Sequence, residues 1–380
     1  MPRTSTSSPA AQDADVAELE RLRAAIDTVD RELLARLNER ARLVQEVGRI
    51  KRDTGAPVYE PSRERRIVDA LVRANSGPFP DAGLGPVFRE IISATRSLEE
   101  PFEVVYFGPE GTFTHQAARE QFGAQVRLTP VPTVRDVFAA VEGAKQPLGV
   151  VPVENTTEGV VTQTLDCLAE FDVTICAEVM LRISQALLSR SGRLEDVQRV
   201  VSHPQPLAQC RRWLDHHLPH AERIETASTA AAAQRAAQEP GTAAVGSAAA
   251  AEVYGLTVVA GGIEDRRDNT TRFLVIGREW PAPSGNDLTS AVFTIRKDRP
   301  GGLHRLIAPF AEAGVNLTSI HLRPIPGKPW EYLFFVDLEG HRSEARVDAA
   351  LSAAGQVASS SRVLGSFPRV GAGREPGGRA

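Results

Sequence analysis

Apolar residues recur every three or four positions through Leu19, Leu22, Ile26, Val29, Leu33, Leu37, Val44 and Val47. That spacing predicts one long helix with a packed stripe about eight turns long. Residues 16–99 read almost wholly as helix. From Val104 to Gly277 the pattern changes. Short apolar runs ("VVYFG", "LGVVPVE", "VTICAEVML", "RVVSH", "AAVGS", "FLVIG") alternate with helical stretches, the signature of an α/β fold. "EWPAPSGND" (279–287) is a Pro/Gly/Ser linker. Beyond it "TSAVFTIR", a helix from about Leu303, "VNLTSIHLRP" and "EYLFFVDLEG" predict a small βαββ-type domain. Residues 1–15 and 371–380 are small and polar and read as disordered tails.

Two members of the first stripe are wrong for a core. Arg40 fills the slot between Leu37 and Val44, and Lys51 continues the line four residues after Val47. Eleven residues of helix turn through about 1100°, three turns and ~20°, so the two cations share a face. Cations on an apolar face need partners or an anionic ligand. They either snorkel or pair with Glu60 and Glu64 of the next helix, or they grip a ligand. Gly48 lies between them, a costly helix-interior residue unless something must approach closely.

Four polar clusters sit at the ends of predicted strands. Asn269, Thr270, Thr271 and Arg272 precede the apolar run Phe273–Ile276. Glu154, Asn155, Thr156 and Thr157 follow another run, and Ser202, His203, Gln205 and Gln209 follow a third. "VVYFGPEGTFTHQAARE" adds a turn and a helix starting near Thr112 or Thr114, whose free N–H groups suit a carboxylate or phosphate. It is neither GxGxxG nor a Walker loop. One such cluster serves as well for a cap or turn. Four at strand ends point to a ligand cleft.

Composition narrows the field. The chain has 380 residues, 42% hydrophobic and 24% charged, enough for two or three domains. A net charge of -4 argues against nucleic acid as a partner. Cys167, Cys176 and Cys210 show no CxxC spacing and cannot all pair, which fits a reducing compartment. With no signal-like apolar start and no membrane-length apolar run, a cytoplasmic protein without membrane contact is expected. In "DHHLPH" (215–220), His216 and His220 would share a face if a helix continued past Pro219. With no third ligand in view, no metal site is expected.

The segment "LRAAIDTVDRELLARLNERARLVQEVGRIKRDTGAPVYEPSRERRIVDAL" resembles the all-helical chorismate mutase family, with its L-R-x-x-I-x-x-x-D, E-R, V-G-x-x-K and R-E-R signatures in order. The resemblance implies an all-α domain over 16–100. By it Arg23, Arg40 and Arg63 grip the carboxylates of chorismate and Lys51 faces the ether oxygen. Glu64 takes the ring hydroxyl with Glu60 nearby, and Arg23 reaches a second subunit's site. A Claisen rearrangement needs no nucleophile and no proton transfer, only a compactly held dianion and stabilised charge on the ether oxygen. Thr95 and Glu99 stand where many family members carry Ser and Gln. Glutamate donates to the ether oxygen only when protonated, so the rate should fall as Glu99 ionises. A solvated helix-end glutamate is the plain alternative.

"GPEGTFTHQAA", "VPVENTTEGVV", "SHPQPLAQC", "TASTAAAA" and "DNTTRFLVIG" are similar to prephenate dehydratase motifs, in family order over 103–278. The implied fold is a two-lobed α/β domain like periplasmic binding proteins. Thr271 matches the family's reaction-centre threonine. Glu154, Asn155, Ser202 and Gln209 match other functional positions, with Arg272 as an anion contact. An unperturbed threonine is a weak acid, so Thr271 must act as a hydrogen-bond donor within a network. No metal or organic cofactor is required.

"DRPGGLHRLIAPFAEAGVNLTSIHLRP" resembles the ACT family of amino-acid-sensing domains, an α+β (βαββαβ) fold over about 288–367. Dehydratases with this domain bind phenylalanine through Gly-Ala-Leu-Val and Glu-Ser-Arg-Pro motifs. Here those read Gly301-Gly302-Leu303-His304 and His321-Leu322-Arg323-Pro324, leaving Gly301, Gly302, Leu303 and Arg323 as the effector contacts. The expectation is a multidomain homodimer or homotetramer making prephenate and then phenylpyruvate, with feedback by phenylalanine. Two rivals stay open: a dehydratase whose helical segment only dimerises, and a non-catalytic amino-acid sensor.

Overall fold

The computed structural model describes residues 9–57, 59–99, 103–143, 148–295, 300–325, 327–328 and 331–370. Two compact units emerge, Met1–Val58 with Ala94–Pro101, and Tyr59–Ser93 with Phe102–Ala380. The helical segment consists of α1 (Pro9–Thr54), α2 (Pro61–Ala74) and α3 (Asp81–Arg96).

The first unit holds α1 and the last turn of α3 with the residues after it. Helix begins at Pro9, so residues 9–15, expected as tail, are helical, while 1–8 and 371–380 lie outside the described residues. Lys51 and Arg52 occupy the last turn, where cations suit the helix dipole. The expected packed stripe is open in the single chain, with Ile26 59% and Leu33 56% exposed. Periodicity shows which face asks for cover; it does not say that the same chain supplies it.

The second unit carries three sheets. The first uses β1 (Glu103–Phe107), β2 (Arg127–Val131), β3 (Leu148–Asn155), β4 (Gly159–Val160), β5 (Thr174–Arg182) and β11 (Thr270–Gly277). Its order is β2-β1-β3-β11-β5, with β4 paired to β3. Around it lie α4 (Phe113–Phe122), α5 (Val134–Gly143) and α6 (Thr162–Glu170). The second sheet uses β6 (Ala186–Ser189), β7 (Arg199–Ser202), β8 (Glu222–Glu225), β9 (Thr242–Gly246) and β10 (Thr257–Gly261) in the order β10-β6-β9-β7-β8. Its helices are α7 (Pro204–Gln209), α8 (Arg211–His217), α9 (Thr229–Gln238) and α10 (Ala249–Tyr254). The chain leaves the first sheet after β5 and returns with β11, giving the two lobes expected.

The third sheet is antiparallel: β12 (Asp287–Thr294), β13 (Leu317–Pro324), β14 (Tyr332–Glu339) and β15 (Ser360–Pro368), in the order β13-β14-β12-β15. With α11 (Gly302–Glu312) and α12 (Ala345–Val357) it completes the βαββαβ pattern. It shares a core with the first sheet: Val151, Val153, Leu274 and Ile276 pack with Leu288, Phe335, Leu364 and Phe367. A Cβ at Gly365 would collide with the Ile175 carbonyl, so glycine lets β15 lie directly on β5. The opposite face of the first sheet buries Val104, Val150, Phe273 and Val275 with Ala117 and Phe122 of α4.

Among the described residues no helix is long and apolar enough to cross a membrane, and no cluster of metal-ligating side chains occurs. Helix α8 stops at His217, ahead of Pro219, so His216 and His220 do not share a helix.

Candidate active sites

In the first unit the misplaced charges have partners. The Arg40 guanidinium donates to the Thr95 hydroxyl, and Lys51 Nζ lies 3.4 Å from Glu99 Oε2. The Lys51 and Glu99 side chains are only 13% and 14% exposed, so this is an ion pair held out of water, not a pair of snorkelling tips. Arg52 also donates to the Glu99 carbonyl. Gly48 explains how Glu99 comes so near: a Cβ there would stand 2.7 Å from Glu99 Cα. Arg40, Lys51, Thr95 and Glu99 are thus assembled as one polar locus. Arg23 is exposed on α1. Glu60, Arg63 and Glu64 belong to the second unit: Glu60 is the N-cap of α2, its carbonyl accepts from Arg63 N and Glu64 N at 3.0 and 3.1 Å, and Arg63 is exposed.

In the second unit the centre is Thr271, 8% exposed at the start of β11 and paired with Asn155 at the end of β3. Asn155 Oδ1 accepts from Thr157 N (2.9 Å), Thr157 Oγ1 (2.5 Å) and Glu158 N (3.2 Å), an Asx turn that closes the β3–β4 hairpin. With its oxygen fixed, the amide turns Nδ2 toward Asn269 Oδ1 (2.7 Å) and Thr271 Oγ1 (2.8 Å). Thr271 therefore accepts from Asn155, and no acceptor among the described residues takes its hydroxyl proton. A threonine oriented in this way presents its O–H to whatever lies in front of it. Thr270 N and Thr156 Oγ1, at 3.0 Å, lock the two segments together.

This pairing depends on a bulge. Phe273 pairs with Pro152 but Arg272 pairs with Glu154, so Val153 is the extra residue on β3. Without it Thr271 would lie opposite Glu154. A bulge re-aims the residues beyond it; here it brings Asn155 beside Thr271 and sends Glu154 to the other face with Arg272. Both of those expected substrate contacts point away from Thr271. Arg272, expected as an anion contact, donates from Nε to Glu178 Oε2 (2.8 Å) and from Nη1 to Asp337 Oδ2 (2.5 Å). Burial alone would lower the Arg272 pKa, but Asp337 and Glu178 outweigh it and raise it. Glu154 Oε2 lies 3.9 Å from His321 Nε2 of β13. Glu154, Arg272, Ser290, His321 and Asp337 line a cavity of ≈ 20 Å³, room for about one water.

The second lobe supplies the other expected residues. Ser202 closes β7, fully buried, and donates to Val245 O at 2.7 Å. Gln209 Oε1 accepts from Gln185 Nε2 at 3.2 Å, and Gln185 N donates to Glu264 Oε2 at 2.8 Å. Neither Ser202 nor Gln209 bonds directly to the Thr271 cluster. The lobes touch through the "GPEGTF" turn, where Ser247 Oγ donates to Gly111 O at 2.8 Å. Gly111 has φ +81, and a Cβ there would stand 3.2 Å from Ala250 Cβ, so only glycine fits comfortably. Thr112 caps α4, as the sequence indicated.

Asn269, already part of a strand-end cluster in the sequence, belongs to the site, as do three groups the sequence reading passed over. Asn269 is 4% exposed and belongs to the Thr271 cluster. Glu158 has its pKa raised by burial, partly offset by the positive charge His203 of the other lobe carries when protonated. His115 stacks on Tyr106 with centroids 5.2 Å apart and accepts from Gly111 N at Nδ1 (3.1 Å). Its pKa is lowered, chiefly by burial, which favours the neutral ring with its proton on Nε2. Gln185 gave no signal, lying alone after an apolar run. The others stood inside the motifs, but the periodicity of a strand or helix does not reveal which polar neighbours converge.

The expected effector residues lie at the start of α11 and on β13. Gly301, with φ +74, is the N-cap of α11; Gly302 begins that helix and Leu303 is exposed. Arg323 instead binds Asp166 of α6 through two bonds, of 2.9 and 2.6 Å.

The model of Chorismate mutase type II matches residues 22–100, that of Prephenate dehydratase residues 104–281 and that of the ACT domain residues 290–356. A bifunctional chorismate mutase/prephenate dehydratase of Aquifex aeolicus is 47% identical over 93% of this chain and 98% of its own. One of the same name from Pseudomonas aeruginosa is 43% identical over 94% and 99%. A solved prephenate dehydratase from Arthrobacter aurescens, in complex with L-Phe, superposes with a TM-score of 0.65 at 34% identity, covering 70% of this chain and 90% of that one.

Proposed function

Because this chain belongs to the bifunctional chorismate mutase/prephenate dehydratase family, we propose that it rearranges chorismate to prephenate and converts prephenate to phenylpyruvate. In the first reaction Lys51 and Glu99 flank the ether oxygen, Arg40 braced by Thr95 grips a carboxylate, and Arg23, Arg63, Glu60 and Glu64 complete the contacts. In the second, loss of CO2 feeds its electron pair into the ring as the hydroxyl leaves. Thr271 donates a hydrogen bond to that departing oxygen, and aromatisation drives the reaction. The observation that carries this reading is the Asn155 amide, which occupies a lone pair of Thr271 and leaves its proton for the substrate.

The test supplies purified protein with prephenate in neutral-to-alkaline buffer, beside a no-enzyme control, and follows phenylpyruvate. Turnover in wild type that collapses in Thr271→Ala is expected; no turnover above the control in folded protein returns the reading to an amino-acid sensor. For the mutase, Arg40→Ala should lose chorismate turnover and keep dehydratase activity. A changed oligomer with mutase intact would leave the helices a dimerising role.

Phenylalanine binding to the ACT domain is supported by the L-Phe complex of the Arthrobacter aurescens dehydratase. Isothermal titration giving no heat, with uninhibited activity, would refute feedback. A homodimer or homotetramer is supported by the open stripe on α1, and a cytoplasmic setting by three free, buried cysteines.

A further inference from the structure

Two segments carry the chain between the lobes, 183–185 after β5 and 262–269 before β11. They run side by side: Ile183 N donates to Asn269 O at 2.9 Å, and Ile263 N to Gln185 O at 3.1 Å. Gln185 N donates to Glu264 Oε2 at 2.8 Å, so the Gln185 backbone is bonded through both its polar groups. The side chain is less well served. Gln185 is 1% exposed, yet its Oε1 is enclosed with no hydrogen-bond partner among the described residues. A buried acceptor left unpaired keeps its full desolvation penalty, and an apolar side chain of the same shape would avoid it. Packing alone therefore does not account for an amide here. What the amide does is donate from Nε2 to Gln209 Oε1 at 3.2 Å. Gln209 ends α7 and is half-buried, and its carbonyl accepts from Asp265 N at 2.7 Å. That bond fixes the Gln209 backbone and leaves its amide free to turn. Among the described residues, the Gln185 amide is the one group that bonds the Gln209 side chain. With Oε1 engaged, Gln209 Nε2 is turned away from Gln185 with its two N–H groups to give.

We infer that Gln185 is a positioning residue of the dehydratase: it holds the Gln209 oxygen, so that Gln209 offers its N–H groups, and not its carbonyl, to a carboxylate of prephenate. This rests on the dehydratase reading and on Gln209 as a substrate contact. A carboxylate accepts and cannot donate. A glutamine free to turn would present its oxygen as readily as its nitrogen, and would have to be ordered each time substrate bound. The chemistry also says which carboxylate. A donor on the group lost as CO2 would stabilise a charge that must leave it, so the contact belongs to the carboxylate kept in phenylpyruvate. That group is the same before and during the reaction, and its contacts bind ground state and transition state alike.

The test is Gln185→Met in the full chain, which keeps the shape of the side chain and removes both its donor and its unpaired oxygen. KM for prephenate should rise about fivefold or more, with dehydratase kcat within about twofold. Mutase activity in the same preparation should stay at the wild-type level. Gln209→Met should raise KM at least as far. Adding Gln185→Met to it should raise KM no further, because both remove the same oriented donor. Gln185→Leu decides the matter if Gln185→Met does not fold. A folded Gln185 variant with KM within about twofold of wild type, beside a Gln209→Met protein whose KM is raised, overturns the inference. So does a fall in kcat with KM kept, the mark of a displaced site or a smaller folded fraction, and so do two effects on KM that multiply. Wild-type KM in Gln209→Met takes Gln209 off the substrate and the inference with it. Wild-type protein that turns over no prephenate sinks the dehydratase reading itself, an outcome distinct from an active enzyme indifferent to Gln185.

Discussion

Gly48→Ala is the smallest change that separates a positioned Glu99 from a solvated one. A methyl at this site would lie 2.7 Å from Glu99 Cα and 3.1 Å from its Cβ and carbonyl oxygen. Carbon atoms rest about 3.5–4.0 Å apart, so roughly 1 Å must be recovered. All but one of the obstructing atoms are backbone, and α1 is a continuous helix of 46 residues, so the segment ending at Glu99 is what moves. Misplacing a catalytic group by ~1 Å costs about a hundredfold in rate, or about 2.7 kcal/mol of transition-state stabilisation. Stability should change little, because two effects oppose. Replacing a helix-interior glycine gains about 1 kcal/mol, while crowding the contact costs about 1–3 kcal/mol. The assay follows chorismate consumption in Gly48→Ala and wild type, with prephenate turnover in the same samples as the folding control. The expected result is mutase kcat/KM down about a hundredfold with dehydratase unchanged. A folded variant with mutase kcat/KM within about twofold of wild type would show that Glu99 needs no such placement.

Other expectations follow from the same contacts. Glu99→Gln keeps the shape of the side chain and removes the charge that faces Lys51, so mutase kcat/KM should fall with dehydratase activity intact. Mutase kcat/KM equal to wild type would remove Glu99 from the site. Asn155→Asp replaces the donor to Thr271 with an acceptor that captures the threonine proton, so dehydratase kcat should fall about a hundredfold with mutase intact. Normal phenylpyruvate formation by that variant would refute the network. Aspartate at both Leu22 and Ile26, 45% and 59% exposed, should lower the solution mass seen by sedimentation, and an unchanged mass would mean the stripe is not an interface.

Much of this molecule is local in origin and so could be read from the chain. The period of the α1 stripe, the strands ending in polar clusters, the Thr112 cap and the helix opening at Gly301-Gly302 each depend on residues within one or two turns. Even the anomaly at Gly48 was legible as a demand for close approach, though not what approaches. What tertiary structure decided was which way side chains face and what meets them. One extra residue at Val153 places Asn155 beside Thr271 and turns Glu154 and Arg272 to the other face, and no periodicity in β3 or β11 announces a bulge. Resemblance marked Arg272 as an anion contact and Arg323 as an effector contact, but only the folded chain shows that Glu178, Asp337 and Asp166, remote in sequence, bind these guanidinium groups. The α1 stripe was legible as a surface that needs cover, but its exposure in the folded chain could be known only after every other element had found its place. Sequence patterns record what each segment requires of its surroundings, and only the assembled chain determines which neighbour meets the requirement.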